Sequence, residues 1–264
     1  CAIGFTRGPG LLGSLLVGTS FAKSLAMSLD VPLIEVNHLQ AHILAHFIED
    51  ANPTPPTFPF LCLTVSGGHT MIVLVKDYFD MEIIGKTIDD AAGEAFDKIG
   101  KIFDLDYPAG PIVDRLAKDG NPDAFKFNKP KMEAYDYSFS GIKTSVLYFI
   151  QKEVRKDPDF IKDNLNDLCA SVQKSIIEIL MDKLEKAAKE LNINDIAIAG
   201  GVSANSGLRQ YMEANREKLG WNIFIPKFEY TTDNAAMIAM VAKLKYERGE
   251  FTDIRTTATA KYDL

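Results

Sequence analysis

Cysteine, positive charge and long apolar runs are all scarce in this sequence. Its three cysteines, Cys1, Cys62 and Cys169, are odd in number and have no metal-type spacing. This usage argues against a disulfide framework and fits a reducing cytosol. Because no run of about 18 consecutive apolar residues occurs, we expect no membrane-spanning segment. The net charge of −7 argues against strong, unaided binding to a nucleic-acid backbone.

The beginning of the chain also lacks an initiator methionine and a visible signal peptide. It starts at Cys1 in what reads as a strand over residues 2–5. We therefore expect an N-terminal segment that this sequence does not include. For the same reason, the lack of a targeting segment carries no argument about the cellular compartment.

The sequence does contain alternating strand-like and helical patterns, which are typical of an α/β fold. With 264 residues and 47% hydrophobic content, it can bury a sizeable core in two lobes. Strands are predicted at 31–36, 60–65, 70–76, 195–199 and 222–226. Helices are predicted at 13–29, 37–50 (capped by Asn37), 90–104, 111–118, 141–155, 164–191, from about 205, and at 232–248.

The proline-rich stretch 52–57 is the best linker candidate in the chain. We place the lobe boundary there and expect the final helix to return to the first lobe. The predicted N-terminal lobe is 1–58 plus 234–264, without its first strands, and the predicted C-terminal lobe is 59–233.

Two histidines, His38 and His42, lie four residues apart on one predicted helix. Both imidazoles then project from one face about one helical turn apart, so both could reach a single metal ion. A satisfied core or surface histidine is the alternative explanation. Leu39 occupies the position where a zincin protease has its general-base glutamate, so a protease interpretation is weak. His46 continues the same stripe.

Asp233 lies at the start of the last predicted helix and could be an N-cap only. Together with His38 and His42 it could instead complete a site of two imidazoles and one carboxylate. Such a donor set leaves coordination positions open and suits zinc or iron(II).

Two glycine pairs follow predicted strands. Residues 66–70 (Ser-Gly-Gly-His-Thr) join two strands and could be an ordinary hairpin turn or an anion cradle. Residues 200–205 end a buried strand and open a helix, where a nucleotide can contact helix N-terminal amides. Two such loops in one α/β chain favour nucleotide binding.

The segment 89–98 is dense in carboxylates. The helix dipole favours acidic residues in a first turn, which explains Asp89 and Asp90 without any ligand. Asp97 lies beyond the first turn of the predicted helix. It therefore needs another explanation.

A GxGxxG pattern at Gly8, Gly10 and Gly13 offers a competing interpretation. It follows a short strand and opens a helix, and Glu35 lies near the end of the next strand, as in dinucleotide-binding folds. An NAD-dependent oxidoreductase would leave the later glycine pairs, the two histidines and Asp233 unexplained. We rank it second.

Four lysines gather at positions 126, 129, 131 and 143. They could contact RNA or form a solvated basic patch. If RNA is the substrate, we expect partner subunits to supply part of the positive surface.

Taken together, these motifs resemble one family, the tRNA N6-adenosine threonylcarbamoyltransferases, once labelled O-sialoglycoprotein endopeptidases. The resemblance spans essentially the whole chain and keeps the family's motif order. Thr64 stands where archaeal relatives have a tyrosine, which favours the bacterial type. The matching segments are 8–15, 36–38 with His42, 65–70, 89–98, 107–111, 138–144, 200–205 and 233–236.

The resemblance implies a two-lobed actin-like ATPase fold with a nucleotide cleft between the lobes. It implies transfer of a threonylcarbamoyl group from threonylcarbamoyl-AMP to N6 of the adenosine 3′ of the anticodon, in tRNAs reading codons that begin with A. A metal-dependent glycoprotease, after the old label, and a non-catalytic scaffold remain as weaker alternatives. The implied setting is the cytoplasm, with no membrane.

By the same resemblance, His38, His42 and Asp233 match the metal ligands, with iron(II) favoured and zinc possible. The family's glutamate-serine-rich phosphate loop is absent here, and His46 stands where the family has no ligand. The implied partners are tRNA, a non-catalytic paralogue, a small P-loop ATPase and an adenylate-producing enzyme, and ATP, ADP or AMP could also bind. Matching adenylate contacts are Thr64, Val65, Ser66, Gly67, Gly68, Asp97, Gly110, Asp114 and Asn205.

Overall fold

The computed structural model describes residues 1–49, 54–130 and 132–264. Strands and helices alternate along the described chain, as the sequence predicts. The strands are β1 Ile3–Gly8, β2 Leu33–Asn37, β3 Phe60–Val65, β4 Thr70–Asp77, β5 Asp80–Lys86, β6 Asp195–Ala199 and β7 Asn222–Phe224. The helices are α1 Leu12–Leu29, α2 His38–Leu44, α3 Ala92–Ile102, α4 Ala109–Ala117, α5 Ser140–Val154, α6 Phe160–Asp163, α7 Leu165–Leu191, α8 Ser206–Leu219 and α9 Ala235–Glu247.

The chain divides into two compact units. Unit 1 comprises Cys1–Pro59, Val75–Glu82 and Pro226–Leu264, and unit 2 comprises Phe60–Leu74 and Ile83–Ile225. These units differ from the expected lobes in Pro59, in 75–82 and in 226–233. Aromatic packing explains the second difference, because the Tyr78 ring lies 5.0 Å from the rings of both Phe47 and Phe58. Part of the predicted linker, residues 52 and 53, lies outside the described residues.

Unit 1 is organised around the parallel strands β1 and β2. The first helix packs on this pair through Ala22 and Ala26, which join Phe5 and Leu33 in one small core. A second core contains Val36 of β2, residues of α2, and Met237 and Val241 of α9. Helix α9 therefore holds α2 in place, because both helices pack in this apolar cluster.

Helix α1 departs from the expectation that no segment could cross a membrane. By length and composition alone it meets that criterion, with a mean hydropathy of 1.3 over 18 residues. Single helices of soluble proteins meet the same criterion. Here Ala22 and Ala26 pack against Phe5 and Leu33, whereas most of the helix is not buried.

Unit 2 is built on a five-stranded sheet with the order β5-β4-β3-β6-β7. Strand β3 is buried along its whole length and runs parallel to β6, which in turn runs parallel to β7. The 27-residue helix α7 supplies much of the core that covers the sheet. Because β3 and β6 are parallel, their carboxyl ends and the loops that follow them lie at the same edge.

The sequence missed two elements, strand β5 and the short helix α6. Strand β5 is mostly exposed or half-buried, so it lacks the apolar run that marks β3 and β6. The other predicted helices and strands exist, β3 and β6 with the predicted bounds and the rest with shifted ends. The predicted helix 37–50 ends earlier, as α2 followed by a short 3₁₀ turn at Ala45–Phe47.

Candidate functional site

Helix α2 begins directly at the end of β2 and is capped by Asn37. The Asn37 Oδ1 atom accepts hydrogen bonds from the backbone N–H of Leu39 at 2.8 Å and of Gln40 at 3.2 Å. This confirms the predicted cap, which satisfies two of the free donors at the helix start. The helix then brings the His38 and His42 rings to a centroid distance of 4.7 Å.

Asp233 is distant from these two histidines in the sequence but lies next to their rings in the structure. Its Oδ1 atom lies 3.4 Å from His38 Nε2 and 3.1 Å from His42 Nε2. One ligand atom from each of the three residues lies within 4.8 Å of the others. Asn234, not Asp233, caps α9, since its side chain accepts from the Met237 N–H. The N-cap explanation of Asp233 is therefore wrong.

The electrostatics of this group keep Asp233 ionised. Hydrogen bonds from His38 and then His42 hold the pKa of the Asp233 carboxyl well below its ordinary value, although partial burial opposes the shift. The His42 side chain is 3% exposed, whereas that of Asp233 is 75% exposed. A buried imidazole beside an open carboxylate fits a cation that keeps positions for water or substrate.

The two nitrogens of the His42 ring have different surroundings. His42 Nδ1 is buried and has no hydrogen-bond partner within the described part of the chain. The Nε2 atoms of both rings face Asp233, so they are the atoms that could ligate a metal. His46 is buried in the following 3₁₀ turn and does not belong to this group of ligating atoms.

In unit 2, residues Ser66 to His69 form the tight turn between β3 and β4. The Ser66 N–H donates to the His69 carbonyl at 2.8 Å, and Ser66 Oγ accepts from the His69 N–H at 3.1 Å. Gly67 and Gly68 are exposed, and a Cβ atom on either would meet nothing within 4 Å. The hairpin is confirmed, and its glycines leave open backbone at the end of a buried strand. Thr64 and Val65 are fully buried in β3.

The turn contacts the start of helix α3. The Ser66 carbonyl accepts from the Gly93 N–H at 3.2 Å, and Thr70 Oγ1 accepts from the Ala92 N–H at 2.8 Å. A Cβ atom on Gly93 would lie 2.6 Å from the Ser66 carbonyl oxygen. Glycine at this position therefore permits the close approach of α3 to the turn.

Asp97, which the sequence left unexplained, serves the next helix. Its Oδ1 atom accepts from the backbone N–H of Ala109 at 2.8 Å and of Gly110 at 3.4 Å. These are the first N–H groups of α4, so the Asp97 carboxylate caps that helix from outside and complements its dipole. Asp97 and Gly110, predicted as ligand contacts, are thus neighbours.

Asp114 repeats this arrangement one helix further on. Its Oδ1 atom accepts from both the backbone N–H and the hydroxyl of Ser206, at 2.9 and 2.8 Å. Asn205 caps the same helix, α8, by accepting from the Leu208 N–H at 2.9 Å, and it donates to Gln173 Oε1 at 2.7 Å. Two helix starts, those of α4 and α8, are thus capped by side chains from other parts of unit 2. The predicted ligand contacts at these two starts are Asp97, Gly110, Asp114 and Asn205.

Gly200, which follows strand β6, lies very close to strand β3. It has a φ of +86°, and a Cβ atom there would lie 2.5 Å from the Val65 carbonyl oxygen. Only glycine combines that backbone angle with such a close approach. The predicted adenylate contacts, from Thr64 to Asn205, consequently gather at the carboxyl ends of the parallel strands β3 and β6. Open α/β sheets bind ligands at this edge.

The acidic segment 89–98 is divided between two tasks. Asp90 and Glu94 pair with Lys98 at 2.6 and 2.9 Å. Asp89 instead binds the start of α5, where it accepts from Ser138 Oγ, Ser140 Oγ and the Phe139 N–H at 2.6 to 2.7 Å. The expectation that Asp89 serves only the dipole of its own helix is therefore wrong.

Replacing Asp89 with alanine should destabilise the fold by about 1 kcal/mol near neutral pH. Burial raises the pKa of the Asp89 carboxyl, but the hydrogen bonds from Ser138, Ser140 and the backbone outweigh it and lower the pKa overall. A lowered native pKa stabilises the fold above the unfolded pKa of about 3.9. This contribution is lost as the pH falls further. Denaturant unfolding between pH 7 and pH 3 should show the variant and the parent converging in acid.

The matched control for Asp89 is Asp106→Ala, an exposed aspartate in the same unit. It should unfold like the parent at every pH. A constant difference between Asp89→Ala and the parent over the whole range would contradict the assigned role.

The structure gives Glu35 a role within unit 1 that needs no dinucleotide. One carboxylate oxygen of Glu35 lies 2.9 Å from Arg7 Nη1, and the other accepts from the Tyr262 hydroxyl at 2.9 Å. These two partners leave fewer acceptor sites for ribose hydroxyls. Gly13 is also unconstrained, since a Cβ atom there meets nothing within 4 Å.

The lysine patch loses part of its basic character in the structure. Lys129 pairs with Glu178 at 2.9 Å and Asp182 at 3.1 Å, and Lys143 lies 3.9 Å from Asp90. Lys126 is exposed, and Lys131 lies outside the described residues. Local carboxylates thus compensate two of the lysines, which weakens the patch as an RNA contact.

Sequence reasoning missed three residues that shape these groups: Thr70, Gln173 and Ser206. Ser206 follows the predicted cap Asn205, so a search for capping residues could have found it. Gln173 lies inside the long helix α7 and reaches Asn205 across 32 positions. No local pattern signals that contact.

Comparisons with known proteins agree with this picture. The fold resembles that of full-length HypF, whose crystal structure in the phosphate- and nucleotide-bound form superposes with a TM-score of 0.61 at 14% identity, covering 95% of this chain and 48% of that one. HypF from T. kodakarensis gives 0.59 at 15% identity, covering 94% of this chain and 40% of that one. These likenesses show an actin-like ATPase-type fold.

Relatives at much higher identity carry one name, tRNA N6-adenosine threonylcarbamoyltransferase. The protein of that name from Riemerella anatipestifer is 83% identical over all of this chain and 77% of its own length. The one from Christiangramia forsetii is 62% identical over 99% of this chain and 77% of its own length. The profile of the same family matches residues 1–240. The chain therefore belongs to the tRNA N6-adenosine threonylcarbamoyltransferase family.

Proposed function

We propose that this chain transfers a threonylcarbamoyl group from threonylcarbamoyl-AMP to N6 of the adenosine 3′ of the anticodon, in tRNAs that read codons beginning with A. Relatives at up to 83% identity have the name of this activity. The structural observation that carries the proposal is the meeting of His38, His42 and Asp233 within 4.8 Å. A non-catalytic scaffold has no use for such a group.

At the carbonyl carbon the reaction forms one bond and breaks one bond. The N6 nitrogen of the adenosine attacks the threonylcarbamoyl carbonyl carbon, the bond from that carbon to the phosphate oxygen breaks, and AMP leaves. The N6 nitrogen loses a proton in the process. The protein's main task is to hold donor and acceptor in reactive geometry, which is worth a large share of the barrier.

In this proposal His38 Nε2, His42 Nε2 and an oxygen of Asp233 hold one divalent metal ion per subunit. Iron(II) is favoured and zinc is the alternative, because two imidazoles and a carboxylate suit both ions. When bound, the ion supplies Lewis-acid polarisation and a template for the donor.

The adenylate is assigned to unit 2. The open turn at Gly67 and Gly68 supports contacts to the nucleotide through backbone N–H groups. Asp97 and Asp114 use only Oδ1 in the caps described above. Their remaining oxygens suit ribose hydroxyls, which donate hydrogen bonds.

Partner proteins complete the proposed activity. A non-catalytic paralogue, a small P-loop ATPase and an enzyme that makes the adenylate act with this chain on tRNA in the cytoplasm. The net charge of −7 supports the need for partners, because tRNA binding requires a positive surface. The exposed apolar side chains of α1, among them Leu16, Val17 and Phe21, support a protein contact on unit 1.

The proposal is tested with the full-length protein, the partner proteins and unmodified tRNA. We expect the modified adenosine to accumulate, with AMP released in equal amount, when threonylcarbamoyl-AMP is supplied. Calorimetric titration should show binding of AMP and no binding of NADH.

Two results would overturn the proposal. One is NADH binding with AMP ignored, which would restore the oxidoreductase interpretation. The other is a protein that carries its metal and partners yet leaves the tRNA unmodified.

A further inference from the structure

Residues 252–263, here called the C-terminal strap, run across unit 1 beside the candidate metal group. The strap begins on β2, where the Thr252 N–H donates to the Leu33 carbonyl at 2.7 Å. The Glu35 N–H donates to Thr252 Oγ1 at 2.8 Å. The strap therefore starts on the strand that leads directly into α2.

The middle of the strap holds β1 and the loop after it. The Thr259 N–H donates to the Arg7 carbonyl at 2.9 Å, and the Gly10 N–H donates to the Ala260 carbonyl at 3.2 Å. A Cβ atom on Gly8 would collide with the Thr259 carbonyl oxygen and would lie 3.3 Å from Tyr262 Cβ. The strap therefore leaves no room for a side chain at Gly8.

A charged cluster fixes the end of the strap. The Tyr262 hydroxyl donates to Glu35, and the Arg7 guanidinium pairs with the same carboxylate and lies 4.8 Å from the centre of the Tyr262 ring. Cation–π contact and charge-assisted hydrogen bonds are among the stronger polar contacts. They set the position of the backbone around residue 262.

Asn37 joins this backbone to the helix that carries the histidines. Its Nδ2 atom donates to the Asp263 carbonyl at 2.8 Å and to the Tyr262 carbonyl at 3.4 Å. Its Oδ1 atom accepts from the first N–H groups of α2, and the side chain is buried, with 3% exposure. One planar carboxamide therefore fixes both the strap and the start of α2, next to His38.

From these contacts we propose that Asn37 is a positioning residue and that the strap, through it, orients His38 and His42 for metal binding. This inference rests on the proposed function only in that the two histidines bind a divalent ion. Outer partners that orient ligands typically change metal affinity by about 10- to 100-fold when removed.

The test compares cobalt(II) binding to full-length parent, Asn37→Ser and Asn37→Ala. Serine keeps a capping oxygen but lacks the N–H groups that reach the strap. We expect Asn37→Ser to bind cobalt about 10- to 100-fold more weakly, with an altered visible spectrum of the bound ion and a smaller loss of thermal stability without metal than Asn37→Ala, because serine keeps the cap. Asn37→Ala should lose affinity and stability together.

Two further variants separate the strap from general damage. Asp263→Ala keeps the main-chain carbonyl that Asn37 binds, so it should bind cobalt like the parent. A chain ended after Lys261 lacks both carbonyls and should resemble Asn37→Ser. If Asn37→Ser binds cobalt with parental affinity and spectrum, the inference is wrong. If the parent itself binds no divalent ion, the metal part of the proposed function fails instead.

Discussion

The His38→Ala variant is expected to lose its bound metal and its transferase activity together while keeping its fold. His38 Nε2 is one of three donors around the candidate site, and two remaining donors hold an ion poorly. The side chain is 21% exposed, so its removal should cost some stability without unfolding the protein. Elemental analysis, the tRNA modification assay and thermal unfolding of the metal-free protein measure the three effects.

His46→Ala is the matched control for this experiment. His46 continues the same stripe of the chain but lies outside the group of ligating atoms. Since His46 is buried, this variant should lose some stability and keep its metal. Full metal occupancy in His38→Ala, or metal loss in His46→Ala alone, would refute the ligand assignment.

The second large effect is expected at Gly200, where alanine should reduce the free energy of unfolding by about 2 to 4 kcal/mol. The φ of +86° strains any other residue, and the added Cβ atom would lie 2.5 Å from the Val65 carbonyl oxygen. Because Val65 leads into the Ser66 turn, nucleotide affinity should fall as well. Denaturant unfolding and AMP titration give the two quantities.

Gly201→Ala is the control that separates the contact at Gly200 from the general effect of replacing a glycine with alanine. A Cβ atom on Gly201 meets nothing within 4 Å, and its φ lies outside the left-handed region. Its stability should remain within about 0.5 kcal/mol of the parent. Equal losses at both glycines would mean that the close approach of Gly200 to β3 has no energetic weight.

Local patterns predicted a large part of this fold. The buried strands β3 and β6 were predicted with their observed bounds, because continuous apolar runs between turn residues have few other interpretations. The Asn37 cap was also predictable, since a capping oxygen acts within three residues. The same holds for the His38 and His42 pair, whose spacing follows from helix geometry.

Contacts between distant segments were beyond such reasoning. Asn37 holds a carbonyl 226 positions away, and Asp97 caps a helix that starts 12 positions later. Neither partner leaves a periodic signal in the sequence. The sequence offered Asp233 either as an N-cap or as a third ligand, and its closeness to the histidines follows from the packing of α9 against α2.

The caps at α4 and α8 have a consequence for selectivity in unit 2. An uncapped helix start attracts oxyanions, yet here Asp97 and Asp114 already occupy those amides with negative charge. The two carboxylates therefore repel inorganic phosphate or sulfate, and they can accept hydrogen bonds from neutral diols. If the adenylate binds here as proposed, a sugar with both vicinal hydroxyls should bind more tightly than its deoxy counterpart.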